Sequence, residues 1–225
     1  MDGKEVYSPE KDPPLPPEID HIYPAYDLYG ITDTAYGFLT KGCPRRCPFC
    51  HVAGIQGTRV YDFALLNEFW RGQPKIKLLD PNLTASMNFE RHVEQLARSK
   101  AWVDFTQGLD ARMLTESRIK ALNDVKFKRI HFAWDNPRDD LEPKFELISR
   151  YLKRCNKNYV SCYVLTNYDS TFEQDLYRVM SLRRLNIQPY VMIYRKATAP
   201  KDLKRLQRWC SPFIFWKCER WEDYK

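Results

Sequence analysis

The chain has 225 residues, 44% of them hydrophobic, and a formal net charge of +7 at pH 7. This length and apolar content suffice to bury one sizeable core, which excludes a wholly disordered chain and favours a single domain with short extensions. No apolar run approaches the roughly 20 residues that a membrane-spanning helix needs, and residues 1–20 are polar and proline-rich rather than signal-like. We therefore expect a cytoplasmic protein that makes no membrane contact.

The positive charge indicates an anionic partner without identifying it. A solvated helix face explains the distribution of basic residues most simply, and a nucleic-acid surface is the alternative. These residues are concentrated late in the chain, at Arg183, Arg184, Arg195, Lys196, Lys201, Lys204, Arg205 and Arg208.

Residues 1–35 form a proline-rich N-terminal extension. The run at 13–17 reads Pro-Pro-Leu-Pro-Pro, which favours an extended or polyproline conformation and cannot begin a helix. Tyr23, Tyr26 and Tyr29 supply aromatic anchors, so we expect the extension to dock on the body of the protein. The alternative is a disordered leader.

From residue 36 onward, strand-like apolar runs alternate with helical ones, which is typical of βαβ units and a parallel sheet. The alternation is compatible with an open α/β barrel and with a flat doubly wound sheet. The predicted strands are residues 36–40, 75–79, 103–106, 129–134, 159–165 and 188–194. The predicted helices are residues 62–71, 88–99, 115–123, 141–154, 171–185 and 201–210.

Three of the seven cysteines, Cys43, Cys47 and Cys50, follow the first predicted strand at C-x3-C-x2-C spacing. An odd count with three thiols in one loop is a poor disulfide framework, and it favours a metal site in a reducing compartment. Three thiolates from one loop can hold one face of an iron–sulfur cluster and leave one position without a protein ligand. A structural zinc site is the alternative, with His51 or a distant cysteine as the fourth ligand.

Polar side chains stand at the carboxyl ends of the predicted strands, where α/β barrels carry their binding and catalytic groups. Each one alone would suit a turn or a helix cap. Their coincidence at one edge of the sheet indicates a site. These residues are Asp80, Asn82, Gln107, Asp110, Arg112, Asp135, Asn136, Asn167, Tyr194 and Arg195.

The cysteine loop, with Phe49 before its third cysteine, resembles the C-x3-C-x-aromatic-C signature of the radical S-adenosylmethionine (radical SAM) superfamily. The resemblance covers roughly residues 34–200. Segments 105–112 and 134–140 also look like a compact subgroup met in bacteria and phages. The resemblance implies a partial (β/α)6 TIM-like barrel, open on one side, and favours it over the flat sheet.

This architecture would divide the chain into three parts. Residues 1–35 would be the extension, residues 36–200 the radical SAM partial barrel, and residues 201–225 a C-terminal helix and tryptophan-rich cap. The cap is expected to bury four aromatic side chains against the bottom or the open edge of the barrel. They are Trp209, Phe213, Phe215 and Trp216.

The resemblance also implies cofactor contacts. The three cysteines would hold a 4Fe-4S cluster whose fourth iron binds the amino and carboxylate groups of S-adenosylmethionine (SAM). Asp80 and Asn82 would contact the methionyl amine, although many members carry a Gly-Gly-Glu type sequence at that place. Asp135 and Asn136 would bind the ribose hydroxyls.

On the adenine side, the resemblance assigns Phe49 and the backbone near Met192 and Tyr194. Gln107 and Asn167 are further candidates for SAM contact, and Gln107 suits the substrate side equally. No auxiliary cluster is expected from the other cysteines, because a second cluster normally needs about four thiolates close together.

The implied function is that of a radical SAM enzyme. An external donor such as a flavodoxin or ferredoxin would supply one electron, SAM would be cleaved reductively, and a 5'-deoxyadenosyl radical would take a hydrogen atom from the substrate. The substrate is unidentified, with nucleic acid and peptide both open. One alternative is a non-catalytic zinc- or iron–sulfur-binding module acting in protein or nucleic-acid binding. Another is a degenerate member that binds SAM without cleaving it.

Overall fold

The computed structural model describes residues 15–224, so the expectations for residues 1–14 and 225 lie outside the described residues. Strands and helices alternate along most of the chain, which confirms the predicted α/β class. The strands are β1 (Thr34–Gly37), β2 (Thr40–Lys41), β3 (Tyr61–Asp62), β4 (Lys75–Leu78), β5 (Trp102–Phe105), β6 (Ile130–Ala133), β7 (Val160–Thr166) and β8 (Gln188–Ile193). The helices are α1 (Pro17–Asp20), α2 (Val52–Gln56), α3 (Leu66–Phe69), α4 (Phe89–Ser99), α5 (Glu116–Leu122), α6 (Glu142–Tyr151), α7 (Phe172–Arg184), α8 (Lys201–Trp209) and α9 (Pro212–Phe215).

Two parallel sheets carry the architecture. Strands β1, β4 and β5 form the first in that order, with Ile76 opposite Val103, and β6, β7 and β8 form the second. The backbone N–H of Leu109 donates to the carbonyl of His131 at 2.7 Å, and Leu109 forms a parallel bridge with Phe132, so the second sheet begins where the first ends. In the described part of the chain β1 and β8 form no hydrogen-bonded pair, so the sheets do not close into a barrel.

The helices cover one face of the strands. Alternate side chains of a strand point to opposite faces, and Ile76 and Leu78 of β4 are buried in the same core as Val93 and Leu96 of α4. Lys77, between the two buried residues, is half-buried on the opposite face. The face that the helices do not cover is therefore free to carry polar side chains.

The first predicted strand and the first predicted helix are wrong in their bounds. Strand β1 ends at Gly37 because the backbone N–H groups of Leu39 and Thr40 donate to the carboxylate of Asp80, at 3.2 and 2.6 Å, which takes the chain out of the sheet. Strand β2 then pairs antiparallel with β3. Since residues 61–62 belong to this hairpin, the helix expected over 62–71 is reduced to the short α3.

The described part of the N-terminal extension is docked at two of its three tyrosines. The hydroxyl of Tyr26 lies 2.8 Å from the backbone nitrogen of Tyr36 and 3.0 Å from the carbonyl oxygen of Phe69. The Tyr23 hydroxyl accepts a hydrogen bond from Gln73 Nε2 at 2.6 Å. Tyr29 is 81% exposed, so its predicted anchoring role is wrong.

The C-terminal segment packs on α7 and β8 through a second hydrophobic cluster. Trp209 and Phe215 are fully buried in it, and Trp216 is partly buried against it. The indole nitrogen of Trp216 donates to Gln188 Oε1 at 2.6 Å, which places the segment at the amino end of β8. Phe213 is 83% exposed, so its expected burial is wrong, because the first turn of the short helix α9 points it to solvent.

Within residues 15–224, no helix has the length and apolar character needed to cross a membrane.

Arg178 of α7 ties this helix to the carboxyl ends of β6 and β7. Its side chain is 1% exposed and donates to the carbonyl oxygens of Trp134, at 2.5 Å, and Leu165, at 2.9 Å. It also pairs with Asp175, equally buried, at 2.5 Å. The guanidinium therefore satisfies strand-end carbonyls that would otherwise lack partners.

We expect Arg178→Met to destabilise the protein by about 3 to 5 kcal/mol, because it leaves the Asp175 carboxylate buried without a counter-charge. Arg184→Ala, on the same helix, removes a pair with Glu142 in which the arginine is 54% exposed, and it should cost no more than about 1 kcal/mol. Urea unfolding of the two variants measures the difference. Equal losses would show that Arg178 has no special part in holding the strand ends.

Candidate functional site

The cysteine loop is closed at its base by the β2–β3 hairpin, in which Lys41 lies opposite Tyr61. The backbone N–H of Cys43 donates to the carbonyl of Gly57 at 3.1 Å, across the loop. Gly42 adopts a φ of 87°, and a Cβ built on it would lie 2.1 Å from the carbonyl oxygen of Arg59. Only glycine fits there, so the start of the loop is fixed by backbone contacts.

The three thiols of this loop differ in their exposure to solvent. Cys43 and Cys47 are half-buried and Cys50 is exposed. Burial raises the pKa of the Cys47 thiol, Arg112 opposes the shift, and the neighbouring Cys43 and Cys50 add to it. Among the described residues, no group of three or more His, Cys, Asp or Glu side chains converges closely enough to hold a metal ion.

Asp110 anchors the loop to the ends of β4 and β5. Its Oδ2 accepts from Arg45 Nε, inside the cysteine loop, at 2.5 Å and from Asn82 Nδ2 at 3.3 Å. Its Oδ1 accepts from Arg112 Nε at 2.7 Å. Asn82 Nδ2 also lies 3.6 Å from the sulfur of Cys43. Burial alone would raise the pKa of Asp110, but Arg112 and Arg45 hold it below its ordinary value, so this carboxylate stays charged.

The ionic chain continues to the end of β6. Arg112 Nη1 pairs with Asp139 Oδ2 at 2.5 Å, and Asn136 Nδ2 donates to Asp139 Oδ1 at 3.0 Å. Asn136 itself is exposed. Asp135 lines a large cavity beside the second sheet. Burial raises the pKa of its carboxyl, and Arg178 opposes the shift. The two residues predicted to bind the ribose therefore differ: Asp135 faces the cavity, and Asn136 is held in the neighbouring turn.

The residues predicted on the adenine side gather around Tyr168. Its ring meets Phe49 at a centroid distance of 5.2 Å and Tyr194 at 5.0 Å, both edge to face. Asn167, in the left-handed region at φ 62°, donates from Nδ2 to the carbonyl of Tyr194 at 2.7 Å. Of the residues predicted on the adenine side, Phe49 and Met192 line the cavity. Sequence reasoning missed Tyr168, although it directly follows Asn167 at a strand end.

Asp80 accepts hydrogen bonds from the segment that leads into the cysteine loop. Its side chain is 4% exposed, and besides the two backbone donors it accepts from Thr40 Oγ1 at 2.7 Å. Burial raises its pKa to about 6, and the hydrogen bonds from Thr40 and Leu39 oppose that shift. Asp80 thus fixes the strand that leads into the cysteine loop.

A cavity of about 1180 Å³ opens on the inner face of the second sheet. Phe49 and Cys50 line its upper end, which is the end at the carboxyl ends of the strands, and Gln107 lines its side. Cys210 and Ser211 line its lower end, at the amino ends of the strands. The side chains that β6, β7 and β8 turn into it form three layers. They are His131, Ser161 and Gln188 at the amino end, Ala133, Tyr163 and Tyr190 in the middle, and Asp135, Leu165 and Met192 at the carboxyl end.

Sequence reasoning considered only the carboxyl-end layer. The signal for the other two was the spacing of polar residues two apart along the strands, as in Ser161 and Tyr163 or Gln188 and Tyr190, which places them on one face.

Neither the scan against protein-family models nor the search of curated proteins returns a match for this chain.

Gly42→Ala should destabilise the protein by at least about 2 kcal/mol, since alanine at this φ is strained and its Cβ would strike the Arg59 carbonyl. Gly54→Ala is the matched control in the same loop. Gly54 lies in α2 with no atom near its missing Cβ, so alanine there should be neutral or stabilise by up to about 1 kcal/mol. Thermal unfolding measures both. A Gly42→Ala variant as stable as the control would contradict the loop geometry.

Proposed function

We propose that this protein is a radical SAM enzyme whose α/β fold is a partial barrel of the radical SAM type. One observation carries the proposal: a loop with three thiols at C-x3-C-x2-C spacing lies where parallel strands end, and its Phe49 and Cys50 line a cavity large enough for a cofactor. In α/β barrels this edge of the sheet is where function resides.

The donor set suits an iron–sulfur cluster, which would have to draw the three thiols together from the arrangement described above. Cysteine thiolates are the ordinary ligands of such clusters, and Cys43, Cys47 and Cys50 come from one loop that is anchored at its base and at Arg45. Hydrogen bonds to the sulfurs adjust the potential of a cluster, and the Asn82 side chain is positioned to donate one to Cys43. When bound, the cluster and SAM would supply reductive cleavage of the sulfonium and a 5'-deoxyadenosyl radical, using one electron from a flavodoxin or ferredoxin.

The residues around the cavity supply binding groups for SAM. Asp135 would bind the ribose hydroxyls, and the cavity residues Phe49 and Met192, with Tyr194 nearby through its contact with Tyr168, would bind the adenine. Asn82 lies next to Cys43, but its Oδ1 already accepts from Thr84 Oγ1 at 3.0 Å, and the oxygens of Asp80 likewise already have backbone donors. The edge-to-face contacts of Tyr168 hold two of these aromatic rings together, which would help to exclude water from a reactive radical.

The positive charge of the chain suits an anionic partner, either an acidic electron carrier or a nucleic acid. The ionic chain from Arg45 through Asp110 and Arg112 to Asp139 would hold the loop in place while that partner binds.

The test is anaerobic reconstitution with iron and sulfide, followed by dithionite and SAM. The wild-type protein should release 5'-deoxyadenosine, and Cys47→Ala should reduce release to background because one cluster ligand is lost. Cys155→Ala is the matched control: burial raises the pKa of that thiol to about 11, so it is no thiolate at neutral pH, and its loss should leave release unchanged.

Two results would contradict the proposal. Stoichiometric zinc with no SAM turnover would indicate the non-catalytic metal-binding module, with His51 beside Cys50 as a fourth ligand. A protein that forms the cluster and binds SAM, yet gives no cleavage product with a strong reductant, would be the degenerate member.

A further inference from the structure

The cavity holds more space than one cofactor needs. Single ligands of drug size occupy pockets of roughly 300 to 1,000 Å³, and this cavity measures about 1180 Å³. Its upper end is formed by Phe49, Cys50 and Met192, which are the residues proposed for the cluster and SAM. The middle and lower layers, with Tyr163, Tyr190 and His131, are left for a second molecule.

Flat aromatic rings dominate the middle of the cavity. His131 and Tyr163 are stacked, with centroids 5.3 Å apart and planes inclined by 10°. Tyr190 stands edge to face against Tyr163 at 5.6 Å and is 60% exposed, so one of its faces is open to a ligand. Ser161 Oγ and His131 Nδ1 are 2.6 Å apart, which fixes the imidazole in this orientation. Such a wall suits a planar ring.

Polar side chains stand next to these rings. Tyr163, Tyr190 and Gln107 line the cavity. Tyr163 is half-buried, and Tyr190 and Gln107 are exposed, so their polar groups are open to solvent. A ligand whose edge carries both donors and acceptors can replace the water that these groups bind.

Two cations complete the lining. Lys196 follows β8 at the upper rim, and Arg129 precedes β6 at the lower rim. The guanidinium of Arg129 is held by the carbonyl of Asn158 at 3.3 Å. A ring that enters between these rims would bring any attached phosphate near a positive charge.

We propose that the middle layer of the cavity binds a nucleobase, stacked on the open face of Tyr190 and hydrogen-bonded at its edge by Tyr163 and Gln107. The identification of this site as the substrate site rests on the proposed function, whereas the binding of a nucleobase there does not. Every base has a π face, and stacking on an aromatic side chain is the usual way in which unpaired bases are held. The aromatic side chain of a peptide would stack equally, but it would leave most of these donors and acceptors unpaired.

The experiment measures binding to the whole chain by calorimetry, with S-adenosylhomocysteine at saturation to fill the adenine side. The probes are the four ribonucleoside monophosphates, with ribose 5-phosphate as a base-free control and N-acetyltryptophanamide as a peptide-like control. A monophosphate should bind, and Tyr190→Leu should weaken it about tenfold by removing the stacking face. Tyr190→Phe should retain stacking. Tyr29→Leu, at a tyrosine 81% exposed elsewhere, should change nothing.

A short single-stranded oligonucleotide distinguishes the source of the base. If the oligonucleotide binds, the monophosphates do not, and Tyr190→Leu abolishes binding, the ligand is a base within a strand. If a monophosphate binds as tightly as the oligonucleotide, the ligand is a free nucleotide. The proposal is overturned if no nucleotide binds, if ribose 5-phosphate or N-acetyltryptophanamide binds as well, or if Tyr190→Leu binds like the wild type. Failure of the radical SAM assignment is a separate result: S-adenosylhomocysteine would not bind, while nucleotide binding would still depend on Tyr190.

Discussion

The carboxylate of Asp110 joins the segments that make up the site. It is 8% exposed and accepts from Arg45 in the cysteine loop, from Asn82 after β4 and from Arg112 in its own turn. Because charged hydrogen bonds are worth more in a partly buried setting, this one group fixes the loop relative to two strand ends. Arg112 extends the connection to Asp139 after β6. The position of the thiols at the edge of the sheet thus depends on an ionic network that burial alone would not produce.

The open arrangement of the sheets gives the cavity two different ends. A closed barrel fills its interior with layers of side chains, whereas here the layers of β6, β7 and β8 face a space of about 1180 Å³. The upper end lies beside the thiols and the Phe49, Tyr168 and Tyr194 rings. The middle carries Tyr163 and Tyr190, whose rings meet edge to face. A cofactor above and a base below would meet within one enclosure, which is what transfer of a hydrogen atom requires.

The order of the parallel strands and the helices from α4 to α8 could be predicted from the sequence, because apolar periodicity and caps such as Thr171 mark them locally. The β2–β3 hairpin could not, since two-residue strands have no period and this pair depends on Asp80, far along the chain. The Arg45–Asp110 pair spans 65 residues and leaves no local signal. The alternation of polar residues along β7 and β8 indicates that Tyr163 and Tyr190 share one face of the sheet, but the cavity that they line depends on segments distant in the chain, such as the cysteine loop and residues 210–212.

If the cysteine loop holds a cluster with one position open to SAM, electron paramagnetic resonance of the reconstituted, dithionite-reduced protein should detect it. The expected signal is that of a reduced 4Fe-4S cluster whose line shape changes when SAM is added, and it should be lost when Cys43, Cys47 or Cys50 is replaced by alanine. A protein that retains no iron, or a cluster signal that SAM leaves unchanged, would contradict this assignment.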